Sequence, residues 1–253
     1  MLRVILLIGA LAVSSVAYAG GGSDTKLPNE HWSFEGPFGT YDRGALQRGY
    51  QVYSQVCASC HAMKHLSYRN LSALGYTPDE VKAIAAQYTI IDGPDDEGEM
   101  FERAGKPSDK FKAPFENENA AKYANNGALP PDLSLITKAR VGGADYIYAL
   151  LTGYEDHAPE GEELGTGQYW NKYMPGHKIA MAPPLSDEGI GYEDGSPTTV
   201  DQYARDVSHF LTWAAEPEME VRKRTGVKVL LFLIVFAGVM YRVKKKIWKN
   251  VKH

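Results

Sequence analysis

Cysteine is almost missing: 253 residues contain two, Cys57 and Cys60. With both at one place, no structural disulfide remains to staple a domain. A four-cysteine zinc site is excluded as well. Period-two alternation of apolar and polar residues is weak throughout, which argues against an all-β fold. No internal repeat and no linker divides the chain, so the roughly two hundred central residues read as one domain. Basic residues are scarce over that length. Residues 20–219 hold 16 Lys and Arg against 30 Asp and Glu, a formal charge of −14, while ten bases follow from Arg222 onward. Such a domain repels nucleic acid and attracts basic partners.

What cysteine there is stands in Cys57-Ala58-Ser59-Cys60-His61. Two thiols at this spacing, followed at once by histidine, form the attachment signature of a c-type haem. The thiols of Cys57 and Cys60 add across the two vinyl groups, and His61 supplies an axial nitrogen to the iron. A thioredoxin-like pair would leave His61 without a reason. The motif predicts one haem c, held covalently. The second axial ligand is less evident. Met100 and the remaining histidines are among the candidates, Met63 is too close to His61 to reach the opposite face, and Met219 and Met240 lie in or beside a C-terminal apolar run. Met181, in Ile179-Ala180-Met181-Ala182-Pro183-Pro184-Leu185, has a proline-fixed backbone and small neighbours. Met174, before Pro175, is its rival.

The two ends of the chain carry targeting signals. Arg3, the apolar stretch Val4 to Val13 and Ala17-Tyr18-Ala19 read as a cleaved signal peptide over 1–19, with a mature start at Gly20. Residues 227–243 hold only Lys228 and Arg242 as charges. Seventeen helical residues span roughly 25 Å, slightly short of a bilayer core of about 30 Å; Lys228 and Arg242 snorkel to make up the difference. Lys244, Lys245, Lys246, Lys249 and Lys252 follow and place the C-terminus in the cytoplasm. Arg222, Lys223 and Arg224 before the span weaken that asymmetry, but the signal sets the orientation. The predicted organisation is a signal (1–19), a periplasmic domain (20–219), a basic juxtamembrane segment (220–226), a single-pass anchor (227–243) in a bacterial inner membrane, and a basic cytoplasmic tail (244–253).

Helical spacing runs over Tyr41 to Val56, from Thr77-Pro78-Asp79-Glu80 to about Tyr88, over Gly143 to Leu151 and over Val200 to Ala214. Residues 20–40 read as irregular and Asp92 to Asn119 as a polar surface excursion. The expectation is a mostly α domain with long loops wrapped on a haem, plus one C-terminal membrane helix. Two acidic clusters, Asp92, Asp95, Asp96, Glu97 and Glu99, and Glu155, Asp156, Glu160, Glu162 and Glu163, are either solvated loops or a docking face.

Together these residues resemble the cytochrome c1 family. The resemblance covers essentially the whole mature chain. It runs through the haem motif, Tyr68-Arg69-Asn70-Leu71, Asp92-Gly93-Pro94 with Glu97-Gly98-Glu99-Met100, and Asn125-Asn126-Gly127-Ala128-Leu129-Pro130-Pro131-Asp132-Leu133-Ser134. It continues in Ala139-Arg140 with Gly142-Gly143, Leu150-Leu151-Thr152-Gly153-Tyr154, Met181-Ala182-Pro183-Pro184 and Trp213-Ala214-Ala215-Glu216-Pro217, before the tail anchor. The haem motif alone is generic; the Pro-Pro-Asp-Leu-Ser block together with the anchor is specific. The resemblance implies Met181 as sixth ligand. It implies Asn125, Pro131, Arg140 and Tyr146 around the haem, with Arg140 near a propionate. It further implies one-electron transfer from a Rieske iron–sulfur protein to cytochrome c, beside cytochrome b, in a dimeric ubiquinol–cytochrome c oxidoreductase without a substrate site of this chain's own. Some bacterial members carry an extra disulfide, for which this chain lacks the cysteines.

Overall fold

The computed structural model describes residues 25–250. The expected signal peptide and the mature start at Gly20 lie outside the described residues.

Among the described residues, six α-helices carry the fold. The first, α1 (Arg43–Gln55), starts two residues inside the predicted stretch because Asp42 is its cap: the carboxylate accepts from the Ala45 N–H at 3.2 Å. The helix buries Leu46, Tyr50, Val52 and Tyr53. These pack on the fifth helix, α5 (Val200–Ala215), which buries Tyr203, Val207, Phe210, Leu211 and Trp213. The two helices touch backbone to backbone at Gly49, where a Cβ would lie 2.0 Å from the Asp206 carbonyl oxygen. Any larger residue would push the helices apart. Beside that contact Arg48 grips the buried Asp206 carboxylate in a fork, at 2.9 and 3.0 Å.

The second helix, α2 (Pro78–Ala86), starts where Thr77-Pro78-Asp79-Glu80 predicted, and the structure adds a capping box there: Thr77 accepts from Glu80 N and Glu80 accepts from Thr77 N. It ends short of Tyr88, where the chain turns into an extended segment. The third, α3 (Glu118–Ala124), was not expected; Asn117 caps it, accepting from Ala120 N at 2.9 Å. The fourth, α4 (Gly143–Thr152), packs on α5 and runs one residue past its predicted end.

Five short strands among the described residues were not legible in the sequence. The predicted polar excursion begins as a hairpin, β1 (Thr89–Asp92) paired antiparallel with β2 (Phe101–Ala104), with Ile91 opposite Glu102. A second sheet has the antiparallel order β3 (Tyr154–Glu155), β4 (Tyr169–Asn171), β5 (Lys178–Ile179). Strands of four residues or fewer are too short to show an alternating pattern.

The sixth helix, α6 (Met219–Ile247), is unbroken. Its first residue, Met219, is buried in the core. Farther on, Leu230, Phe232, Ile234 and Val235 are each more than half exposed, and an 18-residue window has a mean hydropathy of 2.0 with none of it buried. Among the described residues it is the one helix long and apolar enough to cross a membrane. A side-chain band this apolar on all sides suits lipid rather than water. Its first turns are fastened to the domain. Glu220 accepts from the Tyr41 N–H at 2.8 Å and pairs with Arg43 at 2.7 Å. Lys223 donates to the carbonyls of Phe34 at 2.6 Å and Gly39 at 3.1 Å.

Candidate functional site

Helix α1 delivers the haem motif. It ends at Gln55, and the chain tightens into a 3-10 turn over Cys57–Ser59. The N–H groups of Cys60 and His61 both close onto the Cys57 carbonyl, at 3.1 and 2.8 Å. Both cysteines are unpaired and half-buried, and burial pushes the Cys57 thiol up to about 12. Among the described residues no group of three His, Cys, Asp or Glu side chains is placed to hold a metal ion.

His61 places its Nδ1 2.8 Å from the carbonyl oxygen of Pro131. A carbonyl only accepts, so the proton sits on Nδ1 and the lone pair on Nε2 is left for a metal. Burial holds the imidazole below its ordinary pKa against the opposing pull of that bond and of Asp132. The ring is thus neutral, the form that ligates iron. Tyr53 donates to the His61 carbonyl at 3.3 Å.

Residues 131–134 lie as a strap along 61–65. The Leu133 N–H donates to the Ala62 carbonyl at 2.9 Å. Asp132 accepts from the N–H groups of Lys64 at 3.0 Å and Ser134 at 2.8 Å, and the Ser134 hydroxyl oxygen accepts from His65 N at 3.1 Å. Burial works to raise the Asp132 pKa, but the bonds from Ser134 and Lys64 outweigh it and hold it below the ordinary range.

The other predicted residues form a second group around α4. Tyr146, buried on that helix, donates to the sulfur of Met174 at 3.7 Å. Burial raises its pKa while the neighbouring Arg140 opposes the rise. Arg140 is exposed; its guanidinium reaches the Ala139 carbonyl at 3.1 Å, and no carboxylate among the described residues pairs with it. Met181 is half-buried, and its carbonyl accepts from the Tyr154 hydroxyl at 3.0 Å. Asn125 stands apart, donating to the Ala121 carbonyl of its own helix at 2.8 Å. Of the other methionines, Met63 is fully buried in the core and Met100 is exposed on the hairpin.

Sequence reasoning missed Asp132, Ser134, Tyr154 and Asn171. Asp-x-Ser after Pro-Pro is a turn signal that points to the first two. Tyr154 stood in the Leu150-to-Tyr154 stretch of the resemblance with no role attached, and nothing marked Asn171. Asn171 is fully buried, donates to the Leu150 carbonyl at 2.7 Å and accepts from Tyr173 N and Met174 N at 3.0 and 3.1 Å.

The chemistry of this donor set fits a covalent haem: two free thiols in one turn, an imidazole aligned by a second partner, and two methionines on the loops around β5.

The sequence model of the Cytochrome C1 family matches residues 32–251. A protein of Rhodospirillum rubrum named cytochrome c1 is 48% identical over 258 residues, covering 96% of this chain and 94% of that one. The mitochondrial "Cytochrome c1, heme protein" of Saccharomyces cerevisiae is 48% identical over 225 residues, 89% of this chain and 73% of that one. A Bradyrhizobium diazoefficiens protein named cytochrome b/c1 is 52% identical over 265 residues; the match takes in 96% of this chain but 38% of that relative. The chain belongs to the cytochrome c1 family.

Proposed function

We propose that the chain holds one c-type haem through Cys57 and Cys60 and passes single electrons from a Rieske iron–sulfur protein to a cytochrome c, as a subunit of a ubiquinol–cytochrome c oxidoreductase. The observation that carries the reading is the His61 imidazole, fixed through Nδ1 by Pro131 at 2.8 Å with Nε2 free, one residue after Cys60. The haem supplies the redox chemistry, a ferric–ferrous couple.

The protein's own groups bind, orient and shield. Cys57 and Cys60 hold the porphyrin edge. His61 and Met181 would hold its iron between them, which would leave no open site for a substrate and restrict the chain to electron transfer. Pro131 and Tyr53 keep the imbedded His61 loop in place. Arg140, whose guanidinium pairs with no carboxylate among the described residues, would pair with a propionate. Tyr146 and Asn125 line the same region on family grounds.

The apolar helix α6 keeps the domain at a membrane surface. With the signal peptide read from the sequence, the haem domain faces the periplasm of a bacterial inner membrane and the lysine-rich end faces the cytoplasm. Cytochrome b and the Rieske protein are its partners in a dimeric complex. The excess of acids over residues 20–219 suits a basic cytochrome c as acceptor.

The test is purification of the detergent-solubilised protein. A covalent haem in the denatured band, with a cytochrome b and an iron–sulfur protein in the same fraction, is the expected result. A chain without covalent haem overturns the cofactor; one that carries haem but migrates alone overturns the complex.

A further inference from the structure

The run 180–184 after β5 is poorly supplied with donors, since Pro183 and Pro184 have no N–H. Among the described residues one hydrogen bond reaches it: the Tyr154 hydroxyl donates to the Met181 carbonyl at 3.0 Å. Tyr154 itself is well held. It opens β3 opposite Asn171, and the Lys172 N–H donates to the neighbouring Gly153 carbonyl at 2.8 Å. Asn171 in turn is pinned to Leu150 at the end of α4.

The two methionines near this sheet are treated differently. The Met174 sulfur accepts from the Tyr146 hydroxyl at 3.7 Å. For Met181 it is the backbone that is held, while no polar partner among the described residues engages its sulfur. A thioether that is to bind iron needs this combination of a fixed backbone and an uncommitted sulfur.

We infer that Tyr154 is a positioning residue for Met181, its hydroxyl holding the Met181 backbone so that the sulfur stays within reach of the iron. This rests on Met181 being the sixth ligand. Detachment of the sulfur requires the 180–184 run to move, and the tether opposes that movement. A neutral hydrogen bond of ordinary net strength corresponds to about a three- to tenfold change in the detached population.

The full-length haem-loaded chain tests this in three forms: Tyr154→Phe, 4-aminophenylalanine at position 154, and Met181→Leu. The readouts are the thioether-to-iron charge-transfer absorption of the oxidised protein and carbon monoxide binding by the reduced protein. Met181→Leu is expected to lose the absorption and bind carbon monoxide readily. Tyr154→Phe should keep the absorption but bind carbon monoxide about three- to tenfold faster. The amino variant, which keeps ring and donor, should restore the original behaviour. A Tyr154→Phe protein that matches the unaltered chain, while Met181→Leu loses the absorption, overturns the tether and leaves the ligand standing. Equal opening in the Phe and amino variants also overturns it, because ring packing and not the donor would then matter. An unchanged Met181→Leu spectrum removes the ligand and the tether together. If Tyr154→Phe fails to accumulate with haem, recovery in the amino variant supports the tether and continued failure overturns it.

Discussion

His61 Nδ1 donates to the carbonyl oxygen of Pro131 at 2.8 Å, across 70 residues of chain. The acceptor is a backbone atom of a proline, so it cannot itself donate and cannot be altered by a change of side chain. The imidazole is therefore held in one tautomer by the position of the 131–134 strap, and that position depends on Asp132 and Ser134.

Asp132→Ala is expected to loosen this strap. It removes the acceptor for two N–H groups, those of Lys64 and Ser134, at a cost of about 1–3 kcal/mol for stranded donors. Thermal denaturation of the haem domain should show the loss. The pH dependence has a definite sign. The Asp132 pKa is lowered on folding, so its contribution is present above the unfolded value, about 3.9, and is lost as pH falls through the lower folded value. The stabilities of the two proteins should differ at neutral pH and converge in acid; a constant gap would assign the effect to packing.

Arg140→Gln is expected to lower the reduction potential or weaken haem-domain stability. The guanidinium is exposed and pairs with no carboxylate among the described residues, so the change breaks no ion pair there. A potentiometric titration with a melt of the same sample decides the matter. Wild-type values in both would make Arg140 a plain surface residue.

Association with a basic cytochrome c should slow steeply as salt rises, because screening acts over about 8 Å at physiological ionic strength. Transfer within the bound pair should not change. The structure refines the substitutions. Asp95 accepts from Glu97 N at 3.0 Å and Glu99 N at 2.9 Å, so it shapes its own turn and is best left in place. Asp96 and Glu97 test the first cluster. Glu160, Glu162 and Glu163 test the second, where Lys178 already neutralises Glu162 at 3.0 Å. Stopped-flow rates independent of salt and of both sets would point to apolar docking.

Lys223→Met should loosen the joint between domain and membrane helix. Its ammonium donates to Phe34 and Gly39 at 2.6 and 3.1 Å, and two carbonyls lose their donor. The expected outcome is faster proteolytic cleavage between residues 216 and 226 in detergent, with an unchanged haem spectrum. Cleavage at the original rate would mean that Glu220 and buried Met219 suffice to hold the joint.

Much of this protein was legible in its residues alone. The Cys57-to-His61 motif, the helix start at Thr77-Pro78-Asp79-Glu80 and the apolar stretch of α6 are local patterns, and each acts through atoms a few residues apart. The sequence therefore determined five of the six described helices, including the one apolar enough to cross a membrane, and placed the cysteines and histidine of a haem motif side by side; α3 escaped it. It also left Met174 and Met181 as rivals, since side-chain type does not reveal which sulfur already has a partner. Only the tertiary structure decided that Tyr146 engages Met174, that Tyr154 holds the Met181 backbone, that Pro131 sets the His61 tautomer, and that Lys223 faces the domain. All four are contacts between segments distant in the chain. Their geometry comes from the packing of α1, α4 and α5 around one core, and no local pattern carries that information.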